Sequence, residues 1–270
     1  MYGAIIGDIV GSRYEFDNGN KSRDFDLFSG VCTFTDDTVM TIAVAEALMD
    51  CAMDAGEDEV KTKLIASMKK WGKKYPNAGY GSRFIHWVLS EDPEPYGSYG
   101  NGSGMRVSSV GWLFDSLVRT REVARWTAEV THNHPEGIKG AESTASAIYL
   151  ARTGATKKEI REYLEKEFGY DLSRTLDEIR PGYYHVEDCM HTMPEAFECF
   201  LEADSYEETI RNVVYIGGDT DTLGAIAGAI AEAMWDIPVD IKTTAFNFLN
   251  RDALEVLGRF LVETKVDIVE

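Results

Sequence analysis

The sequence predicts an all-α protein, and three observations carry that prediction. Most long segments place apolar residues at helical spacing, few alternate as strands do, and glycines recur every four residues in two apolar segments near the chain ends. About ten helices joined by polar, glycine-rich loops account for the pattern.

The first of these segments carries Gly3, Gly7 and Gly11 on one helix face. Each glycine costs a helix about 1 kcal/mol against alanine, so the repetition marks a face that another backbone approaches closely. Gly224 and Gly228 repeat the device near the other end, and both helices are expected to be central. Further helical runs are expected over Thr38 to Met53, Glu57 to Trp71, Ser108 to Val118, Glu122 to Val130, Lys139 to Arg152, Lys157 to Phe168, Glu207 to Val214, Leu223 to Trp235 and Thr244 to Val262. Three loops, Pro76 to Arg83, Pro93 to Gly104 and Arg180 to His185, are richer in glycine and aromatics than turns require, which marks them as functional candidates. No linker composition and no fixed-period repeat divides the chain, so residues 1–270 are read as one domain.

Composition bounds the partners. With 44% hydrophobic and 11% aromatic residues, the chain can bury a sizeable core and is not disordered. Lys and Arg number 27 against 46 Asp and Glu, a formal charge of -19 that repels a phosphate backbone, so free nucleic acid is not an expected partner. An anionic substrate remains compatible where cations or helix N-termini offset that field. Cys32, Cys51, Cys189 and Cys199 form no paired motif and read as small buried hydrophobes in a reducing compartment. Asp8 interrupts the N-terminal apolar run and no basic region precedes it, so neither a signal peptide nor a membrane span is expected. A cytoplasmic monomer is the expectation.

Chemistry concentrates at two helix starts. Phe34-Thr35-Asp36-Asp37-Thr38 precedes an apolar helix, with Thr35 placed as its N-cap. Acidic residues in a first turn are ordinary capping chemistry. The pattern recurs, however, in Gly217-Gly218-Asp219-Thr220-Asp221-Thr222, where the alternation puts two carboxylates on one side of an extended segment. Brought together, these carboxylates would repel or take up protons, whereas hard divalent cations satisfy them with oxygen ligands alone. Mg²⁺ or Mn²⁺ suits the set, and the lack of histidine or cysteine in it argues against zinc and copper.

Taken in order, Gly3-Ala4-Ile5-Ile6-Gly7-Asp8 running to Glu15, Thr35-Asp36-Asp37, Gly100-Asn101-Gly102 with Met105-Arg106, Thr131-His132, and the segment Gly217 to Thr222 resemble the motifs of the ADP-ribosylglycohydrolases. The resemblance spans almost the whole chain. It implies a compact orthogonal multi-helix bundle around a two-metal cleft, with two Mg²⁺ (or Mn²⁺) held by Thr35, Asp36, Asp37, Asp219, Asp221 and Thr222. It implies a catalytic role for Glu15 and ADP-ribose contacts from Gly79, Tyr80, Gly81, Ser98, Tyr99, Gly100, Asn101, Gly102 and His132. Physically, backbone N–H groups around Gly100, Asn101 and Gly102 could cradle phosphate oxygens, and Tyr80 or Tyr99 could face adenine or ribose.

The reaction implied is hydrolysis at C1 of the distal ribose, releasing ADP-ribose from a modified protein or a small-molecule conjugate, with Glu15 as general acid or base. Two readings compete: a metal-dependent phosphohydrolase, and an inert ADP-ribose-binding or structural protein on the same fold. The linkage stays open among arginine, serine, a nucleobase, poly(ADP-ribose) and O-acetyl-ADP-ribose, though Gly97 to Gly102 looks more like the serine and poly(ADP-ribose) type. Asp8 is read as a structural hydrogen-bonder, Arg106 as either a phosphate contact or half of a core ion pair, and His86, His185 and His191 as having no role.

Overall fold

The structure, a computed structural model, describes residues 1–17 and 21–264. Its helices are α1 (Tyr2–Gly11), α2 (Asp36–Met49), α3 (Glu57–Lys74), α4 (Ser82–Leu89), α5 (Gly102–Met105), α6 (Ser108–Leu113), α7 (Leu117–Glu129), α8 (Pro135–Arg152), α9 (Lys157–Phe168), α10 (Leu176–Ile179), α11 (Cys189–Leu201), α12 (Tyr206–Ile216), α13 (Thr220–Met234), α14 (Val239–Phe246) and α15 (Arg251–Thr264). Among the described residues the only β pairing is an isolated antiparallel bridge between Gly100 and Asp188. The all-helical expectation holds.

The helices are shorter and more numerous than the periodicity suggested. The run expected over Ser108 to Val118 breaks after Leu113: Phe114 turns extended, and the Ser116 side chain accepts from Arg119 N to cap α7. Likewise the run from Thr244 to Val262 is two helices separated at residues 247–250. α11 was not expected, because Pro194 lies inside it and interrupts the pattern. α2 stops at Met49, short of Met53.

Everything in α1 is buried, and its partner is α13. A Cβ on Gly7 would lie 1.9 Å from the Gly224 carbonyl oxygen, one on Gly3 2.1 Å from that of Gly228, and one on Gly11 2.2 Å from that of Thr220. The two backbones therefore touch, as close approach at the glycine stripes required, and their antiparallel pairing is a finding of the structure. At one end Thr220 Oγ1 of α13 donates to the Gly11 carbonyl at 2.8 Å, and at the other Tyr206 Oη of α12 donates to the Gly3 carbonyl at 2.9 Å. Glu232, near the end of α13, accepts from Tyr2 N and Gly3 N at 3.1 and 2.8 Å, which satisfies first-turn donors of α1.

Asp8 joins a third helix to this pair. Its Oδ2 accepts from Thr35 N and Thr38 N at 2.9 and 3.0 Å, and its Oδ1 accepts from Thr35 Oγ1 at 2.8 Å. A side chain of α1 thus caps the start of α2, in the structural role the sequence suggested. One cluster of buried apolar side chains, running from Met1 to Phe260, surrounds the assembly. No helix is long and apolar enough to cross a membrane among the described residues.

The atoms that would obstruct a side chain at Gly224 are backbone, with the Gly7 carbonyl oxygen 2.4 Å from where a Cβ would sit, so Gly224→Ala cannot be absorbed by a rotamer change. It is expected to cost about 3 kcal/mol or more in denaturant unfolding. Gly258→Ala on α15, which meets nothing within 4 Å, should instead stabilise by about 0.5–1 kcal/mol. Equal effects from the two substitutions would contradict the backbone contact.

Candidate active site

The antiparallel register brings the C-terminal end of α1 to the N-terminal end of α13. Beyond α1 the chain makes a tight turn at Glu15–Asp17, with Phe16 in left-handed backbone at φ 58°. That turn sets Glu15 beside Asp219 and Asp221, with one carboxylate oxygen from each within 4.8 Å of the others. Asp219 precedes α13 and Asp221 lies in its first turn, so their approach comes from a helix start, not from the extended segment expected. Gly217 and Gly218 turn the chain into this position at φ 77° and 83°, a region that disfavours side chains.

α2 supplies the facing carboxylates. Thr35 is its N-cap, accepting from Asp37 N at 3.3 Å, and its hydroxyl lies equally close to Asp37 Oδ2. Thr222 Oγ1 of α13 donates to the same Asp37 oxygen at 3.3 Å, so both helix starts share one carboxylate. Asp37 Oδ1 is buried with no protein partner. Asn101 Nδ2 donates to Asp219 Oδ2 at 2.6 Å and to Thr192 Oγ1 at 3.1 Å, so its side chain braces a carboxylate.

These groups cannot all be ionised unaided. Two like charges about 4 Å apart repel by about 4 kcal/mol even at an effective dielectric of 20. Burial first, then neighbouring carboxylates including Asp221 and Asp8, hold Asp36 and Asp37 well above the usual carboxylate range. Burial and Asp219 do the same to Asp221. Asp219 rises to about 7, by burial against the help of its hydrogen bonds. Glu15 rises to about 7 through burial and Asp221, and Asp8 to about 6 through burial. A divalent cation removes this cost, and an orphaned buried Asp37 oxygen among oxygen donors fits a hard one. Glu15, Asp219 and Asp221 offer oxygens close enough to share one, and Asp36, Asp37 and Thr222 line the same cleft. Glu15 stands closer to this cluster than its expected proton-transfer role required.

The carboxylates form one end of a cleft of about 510 Å³. Its other walls include Gly79, Tyr80 and Gly81, then Ser98, Gly100, Asn101 and Gly102, and His132. Comparison with known proteins fits this arrangement: residues 1–266 match the family model described as ADP-ribosylglycohydrolase. The chain belongs to the ADP-ribosylglycohydrolase family. ADP-ribosylhydrolase ARH3 of Mus musculus is 26% identical over 338 residues, covering 94% of this chain and 88% of that protein. ADP-ribosylarginine hydrolase Tri1 of Pseudomonas putida is 24% identical, covering 88% of this chain and 70% of that protein. A solved ADP-ribosylglycohydrolase-related protein complex shares the fold at a TM-score of 0.73 and 23% identity, over 97% of this chain and 94% of that one.

Within this ADP-ribosylglycohydrolase cleft, some residues sit otherwise than expected. Thr35 and Tyr99 are not part of its lining; Tyr99 is half exposed and packs on His134 at 5.4 Å. Gly100 N donates to Ser98 Oγ at 3.2 Å and Asn101 N to the Glu187 carbonyl at 2.9 Å, so these N–H groups are tied down rather than open. Arg106 is buried in the cleft wall and forms no ion pair among the described residues, against one of the two expectations for it. Phe16 and Glu187 line the cleft without belonging to any motif or loop the sequence marked, and Arg83 and Tyr96 lie in two of the marked loops without having been singled out there.

The raised carboxylates fix a pH signature. A native state whose acids titrate above their unfolded values binds protons the unfolded chain does not, so metal-free protein loses stability as pH rises from about 4 through about 7. Thermal melts should show that decline, and Mg²⁺ or Mn²⁺ should raise Tm most at the upper end of the window, where it no longer competes with protons. A metal-induced shift that is absent, or that does not depend on pH, would contradict the assignment of these carboxylates to a cation.

Proposed function

We propose that this protein is a metal-dependent hydrolase that cleaves the glycosidic bond between ADP-ribose and a modified protein or small-molecule conjugate, releasing free ADP-ribose. The observation that carries the reading is a single cleft lined both by crowded carboxylates and by neutral or cationic donors. Carboxylates from three chain segments line it together with a glycine-rich loop, His132 and the buried cation Arg106, and Asn101 of that loop reaches Asp219 at 2.6 Å. Such a cleft suits a ligand that carries both sugar hydroxyls and a diphosphate. Membership of the family and the names of its relatives support the substrate class. The whole of residues 1–270 is proposed to act as one domain.

Asp36, Asp37, Asp219, Asp221 and Thr222 are proposed to hold two divalent cations, Mg²⁺ or Mn²⁺, with Thr35 bracing Asp37 through its hydroxyl, and the bound ions would orient ribose hydroxyls and polarise the attacking water. The chain's own residues do the rest. Glu15, half-buried at the edge of the cluster, gives or takes the proton at the scissile bond. Gly79 keeps space beside Asp36, because a Cβ there would stand 3.0 Å from Asp36 Oδ1, and Tyr80 and Gly81 continue that wall. Ser98, Gly100, Gly102 and His132 receive the diphosphate and distal ribose, Asn101 holds Asp219 in place, and Tyr99 offers its ring at the rim.

Assay of free ADP-ribose release from arginine, serine, O-acetyl and poly(ADP-ribose) linkages, with Mg²⁺ or with chelator, tests this directly. Release from at least one linkage, lost on chelation, is expected. Asp219→Ala should abolish it, and Glu15→Gln should cut turnover by roughly 10² or more while ADP-ribose still binds. Products of AMP and ribose 5-phosphate, or turnover that survives chelation, would contradict the proposal.

A further inference from the structure

Arg106 is among the largest fully buried side chains in the protein, 1% exposed, and it has no carboxylate partner among the described residues. Its Nη2 donates to the Thr127 carbonyl at 3.0 Å and to Thr131 Oγ1 at 2.8 Å, while its Nε is buried without a partner. A core arginine is normally kept for an ion pair, since removing its charge from water is costly. Here burial lowers its pKa only to about 10, so it remains a cation. The structural explanation lies in what Thr131 does next.

Thr131 Oγ1 stands 2.7 Å from Nδ1 of His132, and Thr131 is fully buried. A guanidinium can only donate, so the hydroxyl oxygen accepts from Arg106. The hydroxyl proton then needs an acceptor, and among the described residues the one in reach is Nδ1. Nδ1 is therefore bare, and the ring proton sits on Nε2. Burial, then the nearby charges of Arg106 and Arg83, hold His132 well below its ordinary pKa, consistent with a neutral ring.

Nε2 faces the glycine loop. A Cβ on Gly102 would lie 3.2 Å from it and one on Gly100 3.6 Å, so these glycines keep open the space in front of that nitrogen. Nε2 makes no hydrogen bond within the described protein, and His132 lines the cleft.

We propose that Arg106 and Thr131 are positioning residues that lock His132 as the Nε2–H tautomer and aim that donor through the Gly100–Gly102 gap at an acceptor oxygen of the bound ligand. The inference rests on the reading of the cleft as an ADP-ribose site, and it adds a directional donor to a cleft otherwise crowded with carboxylates. A neutral donor held by a buried cation also counters the acidic field of a chain whose formal charge is -19.

Nitrogen-15 NMR of the ligand-free protein decides the tautomer, with His132 assigned by His132→Asn among the 5 histidines. The expected result is one tautomer, with Nε2 protonated and Nδ1 accepting a hydrogen bond. Thr131→Val, nearly isosteric, should yield a mixture of tautomers and weaken ADP-ribose binding by roughly tenfold in calorimetry, with Mn²⁺ binding unchanged. Thr131→Ser should restore both, which a purely steric role for the threonine methyl would not. A protonated Nδ1 in the wild-type protein, or a Thr131→Val variant with one fixed tautomer and unaltered affinity, would overturn the proposal. Failure of the wild-type protein to bind ADP-ribose would count against the functional reading instead, because the nitrogen signals are read without ligand.

Discussion

The contact between the α1 and α13 backbones is the constraint on which the rest depends. Side chains normally keep helix axes about 8–10 Å apart. Here glycine faces carbonyl on both helices, and a methyl at Gly3, Gly7, Gly224 or Gly228 would collide with backbone. Gly3 meets Gly228, Gly7 meets Gly224 and Gly11 meets Thr220, an antiparallel register that sets the last turn of α1 against the first turn of α13. Two polar groups on those turns then fall into place: Asp8 reaches across to start α2, and the turn after α1 carries Glu15 to Asp219 and Asp221. Packing at the centre of the fold thereby dictates which carboxylates share a site.

That site is costly by construction. Burial and mutual repulsion raise every carboxylate in it, and the partial remedies are local. α2 and α13 both direct their N-terminal ends at the cluster, where the helix dipole favours negative charge by about 0.3–1 kcal/mol each. Asn101 and Thr222 add hydrogen bonds. These terms are small beside the repulsion between buried like charges, so the set takes up protons or a multivalent cation to be balanced. A buried arginine, a neutral histidine and a glycine-lined gap face the same cavity.

Much of this was legible in the sequence, for identifiable reasons. The glycine stripes pointed to the central pair because glycine repetition inside apolar helices has few other physical meanings. The two Asp-bearing helix starts pointed to the acidic end because carboxylates and capping residues recur together. What stayed hidden required three-dimensional information. The gap between α6 and α7 and that between α14 and α15 carry apolar residues on both sides, so periodicity ran across them. Pro194 concealed α11. Arg106 carried no sign that its partners would be a carbonyl and a threonine hydroxyl, and the approach of Glu15 to Asp219 and Asp221 depends on a left-handed Phe16 that no motif announces. The open loop N–H groups expected at Gly100 and Asn101 were spent on Ser98 and Glu187, contacts distant or invisible in sequence.

The central claim is that carboxylates brought together by the α1–α13 contact form a cation site. A crystal soaked in Mn²⁺ and measured for anomalous scattering tests it most directly. Manganese peaks are expected inside the cleft, within bonding distance of Asp37, Asp219 and Asp221, and close to the Asp37 oxygen that has no protein partner. Crystals that bind manganese only elsewhere, or leave those carboxylates without it at saturating concentration, would contradict the claim.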